Sequence, residues 1–163
     1  MRRLPWFSVL VASTAVFAAG CFGSLAPLAD GQCVVDRVVD GDTIRVSGCT
    51  EDRVRFLLID TPEITNPAEC YGDEAKRYVE GRLAKGSRVR LEAGVVDKDQ
   101  FGRYLRFVWL GGELLNETIV REGYGVRYRA AEETRFGGVI AAAESEARSA
   151  RRGMWGAVCD GRR

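Results

Sequence analysis

Strand-like runs in this chain are short, and each is bounded by turn residues. Cys33 to Val39 is rich in β-branched residues and runs into Asp40-Gly41-Asp42, a hairpin signal, from which Thr43 to Ser47 returns. Val54 to Ile59 reads as a third strand, apolar enough to be buried, and Thr61-Pro62 ends it. Arg88 to Ala93 alternates as a fourth, and Tyr104 to Leu110 follows the polar loop Asp97-Lys98-Asp99-Gln100 as a fifth. Helical spacing occurs in three places. Asp73 to Ala84 puts Ala75, Tyr78, Val79 and Leu83 on one face, Leu114 to Glu122 ends before a capping Gly123, and the Ala-rich stretch Val139 to Arg152 stops at Gly153. Short strands with interposed and terminal helices predict an α+β architecture, a five-stranded barrel of the OB type with three α-helices.

The first residues read as a targeting segment. Arg2 and Arg3 precede an apolar stretch from Val9 to Ala19, which is too short for a comfortable membrane span. Ala18-Ala19-Gly20-Cys21 resembles a bacterial lipoprotein signal, in which Cys21 becomes the lipidated first residue; a plain signal cut near Ala26 or Ala29 is the alternative. The expected organisation is a signal peptide over residues 1–20, a linker over 21–32 and one folded domain over 33–159. The protein is then exported, and it is either held to the membrane by lipid or secreted.

Removing residues 1–20 takes away two arginines and no acid, which turns the net charge of +1 into −1. A chain so close to neutral cannot hold nucleic acid by its overall field, so such a contact must come from a local cleft. The chain has no His, which excludes imidazole catalysis and His-ligated metal sites. Acid–base chemistry falls to carboxylates, Lys, Tyr, Cys or bound water.

Three features carry candidate chemistry. Asp42 and Asp60 stand at strand edges beside Thr43 and Thr61, where carboxylates and carbonyls supply the hard oxygens that Ca²⁺ or Mg²⁺ requires; Asp also makes turns without any ion. Arg55 opens the apolar run Phe56-Leu57-Leu58-Ile59, so it either meets an anion or reaches for water. Glu63 follows Asp60-Thr61-Pro62 closely enough to act as a base beside a metal-bound substrate, or to be a solvated loop acid.

Taken together, Val39-Asp40-Gly41-Asp42-Thr43 and Arg55-Phe56-Leu57-Leu58-Ile59-Asp60-Thr61-Pro62-Glu63 resemble the signature of the staphylococcal nuclease (thermonuclease) family. The likeness continues in order through Cys70-Tyr71-Gly72-Asp73-Glu74-Ala75, Asp99-Gln100-Phe101-Gly102-Arg103, Asn116-Glu117, Val120-Arg121-Glu122-Gly123 and Ser145-Glu146-Ala147, up to Trp155. The resemblance implies a five-stranded OB barrel with three helices, and a Ca²⁺-dependent nuclease that hydrolyses DNA and RNA at the P–O5′ bond to leave 3′-phosphates. It implies Asp42, Asp60 and the Thr61 carbonyl as metal ligands, and Arg55, Glu63 and Arg103 as catalytic residues. The family often carries a Lys-Tyr pair that helps hold a terminal phosphate, where this chain has Gln100 and Phe101. Tyr124 and Tyr128 are candidates for further binding tyrosines in a segment that is otherwise dissimilar. The competing reading is a non-catalytic nucleic-acid-binding lipoprotein on the same barrel, which retention of all these side chains disfavours. The chain is expected to act as a monomer.

The cysteines are Cys21, Cys33, Cys49, Cys70 and Cys159. With Cys21 lipidated, four remain, and export favours disulfides over free buried thiols or a zinc site, for which no close Cys pair exists. Cys33 and Cys49 are equally distant from Gly41, so an uninterrupted hairpin register sets them opposite each other. By elimination Cys70 pairs with Cys159, which would pin the loop after Glu63 to the C-terminal tail.

Overall fold

The computed structural model describes residues 31–65, 67–130 and 133–159; the expected signal peptide, Cys21 and nearly all of the linker lie outside them. In chain order the elements are β1 (Gln32–Asp40), β2 (Thr43–Ser47), β3 (Arg53–Phe56), β4 (Ile59–Asp60), α1 (Gly72–Arg82), β5 (Arg88–Lys98), β6 (Tyr104–Leu110), β7 (Glu113–Leu114), α2 (Leu115–Arg121), β8 (Val126–Arg127) and α3 (Gly137–Ser149), followed by a 3₁₀ turn at Gly153–Trp155. No helix among the described residues is long and apolar enough to cross a membrane.

Strands β1, β2, β3, β5 and β6 form the barrel. Antiparallel ladders join β3 to β2, β2 to β1, β1 to β5 and β5 to β6, and a parallel β3–β6 pairing closes the sheet on itself. Closure leaves no free edge between these five strands. Val35, Ile44, Val54, Phe56 and Phe107 are fully buried within the core, as the alternation of each strand requires. Helix α1 buries Ala75 and Val79 and is followed by buried Leu83, the face its spacing predicts, while Tyr78 is half-buried. Helices α2 and α3 bury Leu115, Ile119, Ile140 and Ala143. Gly123 follows α2 at φ 78°, and a Cβ there would stand 2.2 Å from the Arg152 carbonyl oxygen, so a side chain is excluded on both counts.

The third strand departs from its expected course. Val54 to Ile59 is not continuous: β3 stops at Phe56, Leu58 adopts φ 61°, and the chain restarts as β4. Both Leu57 and Leu58 stay buried, so hydrophobicity did not reveal the break. What holds it is hydrogen bonding. The Leu57 amide donates to the Arg106 carbonyl at 2.9 Å, and the fully buried Asn116 donates from Nδ2 to the Leu57 carbonyl at 2.8 Å while its Oδ1 accepts the Val108 amide at 2.9 Å. Strand β5 also runs farther than the expected Arg88–Ala93, because Asp97 in its polar end pairs with the buried Arg106 at 2.7 Å. The helices begin or end one to three residues from their predicted limits, most visibly α3, which ends at Ser149 rather than Arg152.

Both expected disulfides are present, Cys33–Cys49 with Cα atoms 5.3 Å apart and Cys70–Cys159 with Cα atoms 5.9 Å apart. The uninterrupted register that predicted the first is not. Val34 faces Ser47, but Arg37 faces Arg45 and Asp40 faces Thr43, with irregularities between Val35 and Arg37 and between Val38 and Asp40. Two bulges therefore shift the ladder, and the Cα separation still lies within the range a disulfide accepts. The bonds close loops of 16 and 89 residues. Chain entropy assigns them roughly 3 and 5 kcal/mol respectively, usually less in practice. Replacing Cys70 and Cys159 by Ser should therefore lower Tm more than replacing Cys33 and Cys49, as read by calorimetry of the oxidised proteins; an equal or reversed order would contradict that assignment.

Candidate functional site

The β1–β2 turn is built against the segment after β4. A Cβ on Gly41 would lie 2.7 Å from the Thr61 hydroxyl, so glycine is what lets the turn approach. Asp42, next in the chain, is 5% exposed. Its Oδ2 accepts the Thr61 amide at 2.9 Å, its Oδ1 accepts the Thr43 hydroxyl at 3.2 Å, and its own amide donates to Asp40 at 3.2 Å. Arg55 faces Thr43 across the β2–β3 ladder. From there one guanidinium nitrogen pairs with Asp42, and the other donates to Asp60 Oδ1 at 2.9 Å. A single cation thus joins two carboxylates that lie far apart in sequence.

Arg103 enters from the β5–β6 connection. Asp99 shapes this turn by accepting the Phe101 and Arg103 amides at 2.9 and 3.0 Å on Oδ1 and the Arg103 Nε at 2.6 Å on Oδ2. Burial pushes the Asp99 carboxyl up, but the hydrogen bonds from Arg103 prevail and hold it below its ordinary value. This clamp is therefore complete above the usual carboxylate range and is lost as pH falls through the lowered value. Arg55 and Arg103 line one cleft of about 350 Å³ with an apolar floor that includes Leu57 and Leu105, and exposed Phe101 and Tyr128 at its rim. Burial lowers the Arg55 guanidinium from its ordinary value, Asp60 and Asp40 oppose this, and the positive charge of Arg103 adds to the lowering. Two guanidinium groups that repel each other across a cleft favour an anion between them.

Glu63 stands apart from this cluster. It is exposed, and its carboxylate makes no hydrogen bond or ion pair among the described residues. Its backbone is nonetheless fixed. The Glu63 amide donates to the Glu69 carboxylate at 3.0 Å, and the Glu69 amide donates to the Glu63 carbonyl at 2.8 Å. The next residue, Cys70, is bonded to Cys159, so the tail does anchor the far end of this loop. The structure thus gathers Asp42, Asp60, Thr61, Arg55 and Arg103, and sets Glu63 beside Thr61 on a tethered loop.

Sequence reading passed over three residues that shape the site. Asp40, which the sequence places in a turn and in the family signature without a role, senses both arginines; burial raises its carboxyl above the ordinary value, against the pull of Thr43, Arg55 and Arg103. Asp99 was legible in principle, since an Asp just before a Gly-containing turn is an Asx-turn signal. Glu69 carried no local signal. Of the tentative tyrosines, Tyr124 stacks on Tyr78 and Tyr71 with ring centroids 4.1 and 5.6 Å away, whereas Tyr128 is exposed in the cleft.

The residues fit a hard cation. The chain lacks His, and Cys33, Cys49, Cys70 and Cys159 are oxidised in disulfides, so nitrogen and thiolate ligands are ruled out here. The oxygens of Asp42 and Asp60 already converge on one positive charge. Cys33, Cys49 and Glu51 also lie close together, but their bonded sulfurs cannot serve as thiolate ligands.

The family described as Staphylococcal nuclease homologue matches residues 53–157. The Thermonuclease of Staphylococcus intermedius is 35% identical over 126 residues, which cover 75% of this chain and 74% of that protein. Two proteins of Bacillus subtilis (strain 168) are also similar. The SPbeta prophage-derived endonuclease YokF is 38% identical over 128 residues, covering 74% of this chain and 43% of that protein, and Endonuclease YncB is 37% identical over 128 residues, covering 74% and 60%. The chain thus spans less than two thirds of each Bacillus relative and about three quarters of the staphylococcal one. With a family match over more than half its length, on the barrel and cleft described above, the chain belongs to the staphylococcal nuclease family.

Proposed function

We propose that this protein is an exported, Ca²⁺-dependent nuclease that hydrolyses phosphodiester bonds in DNA and RNA and leaves 3′-phosphates. The observation that carries the reading is the pair of arginines facing one cleft, with Arg55 braced by two carboxylates. The names of the similar proteins, a thermonuclease and two endonucleases, point the same way. The two disulfides suit an oxidising compartment, in keeping with a cleaved or lipid-anchored N-terminus at Cys21.

A phosphodiester resists attack because its own charge repels the nucleophile. Arg55 and Arg103 would grip its non-bridging oxygens, each with a planar fork of donors, and hold them more tightly as charge builds in the transition state. The apolar floor of the cleft excludes water from one side of the substrate and strengthens these contacts. Glu63, on its tethered loop, would accept a proton from the attacking water. As the new P–O bond forms, the P–O5′ bond breaks and the 5′ oxygen leaves, taking its proton from solvent. Ca²⁺ held by Asp42, Asp60 and the Thr61 carbonyl would supply positive charge for the phosphate and relieve Arg55 of neutralising both carboxylates.

Asp42→Ala or Asp60→Ala should abolish most DNA hydrolysis in a zymogram, with the far-ultraviolet circular dichroism of the parent, and EDTA should do the same to the parent protein; full activity in EDTA would end the metal reading. Arg55→Lys and Arg103→Lys keep the charge and lose the fork, so each should lower kcat by about a hundredfold or more. Near-normal turnover in both would remove the arginines from the mechanism. Glu63→Gln should lower kcat strongly while Ca²⁺ affinity, measured by calorimetry, changes little; a matching loss of affinity would make Glu63 a ligand instead of a base.

A further inference from the structure

A second cleft, of about 370 Å³, lies on the other side of Tyr128 from the first. The two share Leu58, Tyr128 and Ala130 as a common wall. The wall has a simple origin. Strand β8 pairs with β4, with Arg127 opposite Ile59 and Val126 opposite Asp60, and the Tyr128 amide donates to the Leu58 carbonyl at 2.8 Å. The segment is therefore fixed to the very strand that carries Asp60. Residues alternate along an extended segment. Tyr128 and Ala130 border both clefts, whereas Arg127 and Arg129 border the second alone.

Arg37, Arg53 and Arg151 share with these two the lack of an ion pair among the described residues, but only Arg127 and Arg129 of that group border either cleft. Arg45, Arg55, Arg82, Arg103, Arg106 and Arg135 are all engaged in ion pairs. Arg127 and Arg129 form none among the described residues, and Arg129 is exposed. The one described acid in the second cleft, Glu133, is already satisfied. It accepts the Val95 amide at 3.1 Å and pairs with Arg135 at 3.3 Å; burial pushes its carboxyl up, but the Arg135 bonds prevail and hold it below its ordinary value. Among the described residues the second cleft therefore carries two arginines that no acid pairs with, and Gly137 and Gly138 keep its far side open, with nothing within 4 Å of where a Cβ would stand.

We infer that the second cleft is a subsite for the phosphodiester backbone of a long single strand, which crosses the Tyr128 wall so that Arg127 and Arg129 hold phosphates beyond the one that is cleaved. This rests on the nuclease reading for its substrate class. Continuity with the first cleft and the sign of the charge both favour an anionic, extended occupant, and a nucleic-acid strand is the one the first cleft would already hold. In a protein with a mature net charge near zero, such a local strip is where affinity for a polyanion must come from. Arg127 and Arg129 touch no reacting atom in this scheme and contribute to binding, not to turnover.

The test compares ligand lengths. Binding of a labelled single-stranded DNA of about 20 nucleotides and of a labelled dinucleotide is followed by fluorescence anisotropy in EDTA at low salt, for the parent and for the double variant Arg127→Ala, Arg129→Ala. The long strand should bind the variant about tenfold or more weakly, the dinucleotide as it binds the parent, and the salt dependence of log K for the long strand should become shallower by roughly 1.4, from two phosphates at about 0.7 each. The Arg127→Lys, Arg129→Lys variant should regain most of the affinity, which a merely misfolded segment would not do. Unchanged affinity for the long strand, or equal loss for both ligands, overturns the inference. If the parent fails to cleave the long strand when Ca²⁺ is added, the nuclease reading fails separately, and the binding contrast still decides whether a strand occupies the second cleft.

Discussion

Everything that makes this barrel more than a barrel depends on one buried amide. Asn116 is fully enclosed and spends its hydrogen bonds on the backbone of two neighbouring segments, the Leu57 carbonyl and the Val108 amide. Those groups are where β3 leaves the sheet and where β6, its parallel neighbour, continues. Without such a partner each would be a buried polar group left unsatisfied, at a cost of about 1–3 kcal/mol apiece. With it, the chain can turn at Leu58, peel away from the barrel and present Asp60 and Thr61 toward the β1–β2 turn.

The second dependence is electrostatic. Asp42 is buried and Asp60 is partly so, and Arg55 is the charge that both of them share. Burial alone would disfavour the charged form of Arg55, and the nearby carboxylate of Asp60 opposes that cost. This cluster leaves Arg103 facing Arg55 with its own partner, Asp99, on the opposite flank. The cleft thus sets two guanidinium groups near each other, each anchored by ion pairing of its own.

The disulfides act at the margins of this arrangement. Cys33–Cys49 ties the start of β1 to the segment after β2, despite two bulges in the intervening ladder. Cys70–Cys159 joins the end of the Glu63 loop to the C-terminal tail, directly after the Glu69 carboxylate that fixes the Glu63 amide. Stability and the placement of the proposed base are coupled through that one bond, because the residues that close the loop and the residue that is cross-linked are adjacent.

Much of this was legible along the chain. The five barrel strands, the three helices and both disulfide pairings follow from alternation, helical spacing and cysteine count, since each depends on near neighbours or on simple elimination. The set Asp42, Arg55, Asp60, Thr61, Glu63 and Arg103 came from the resemblance to the nuclease family, since local pattern alone leaves each of them open to an ordinary turn, surface or loop reading. The tertiary structure alone decided what those residues do to one another. Leu57 and Leu58 look like strand because burial, not backbone direction, governs their composition; the break they contain is set by Asn116, distant in sequence. The roles of Asp40 and Glu69 arise from charges and amides brought near by the fold. Arg127 and Arg129 look like ordinary surface arginines until β8 pairs with β4 and places them beside the cleft. Local patterns determine which segments form and which face they bury; hydrogen bonds and charges between distant segments determine where those faces meet, and that cannot be read before the chain has closed on itself.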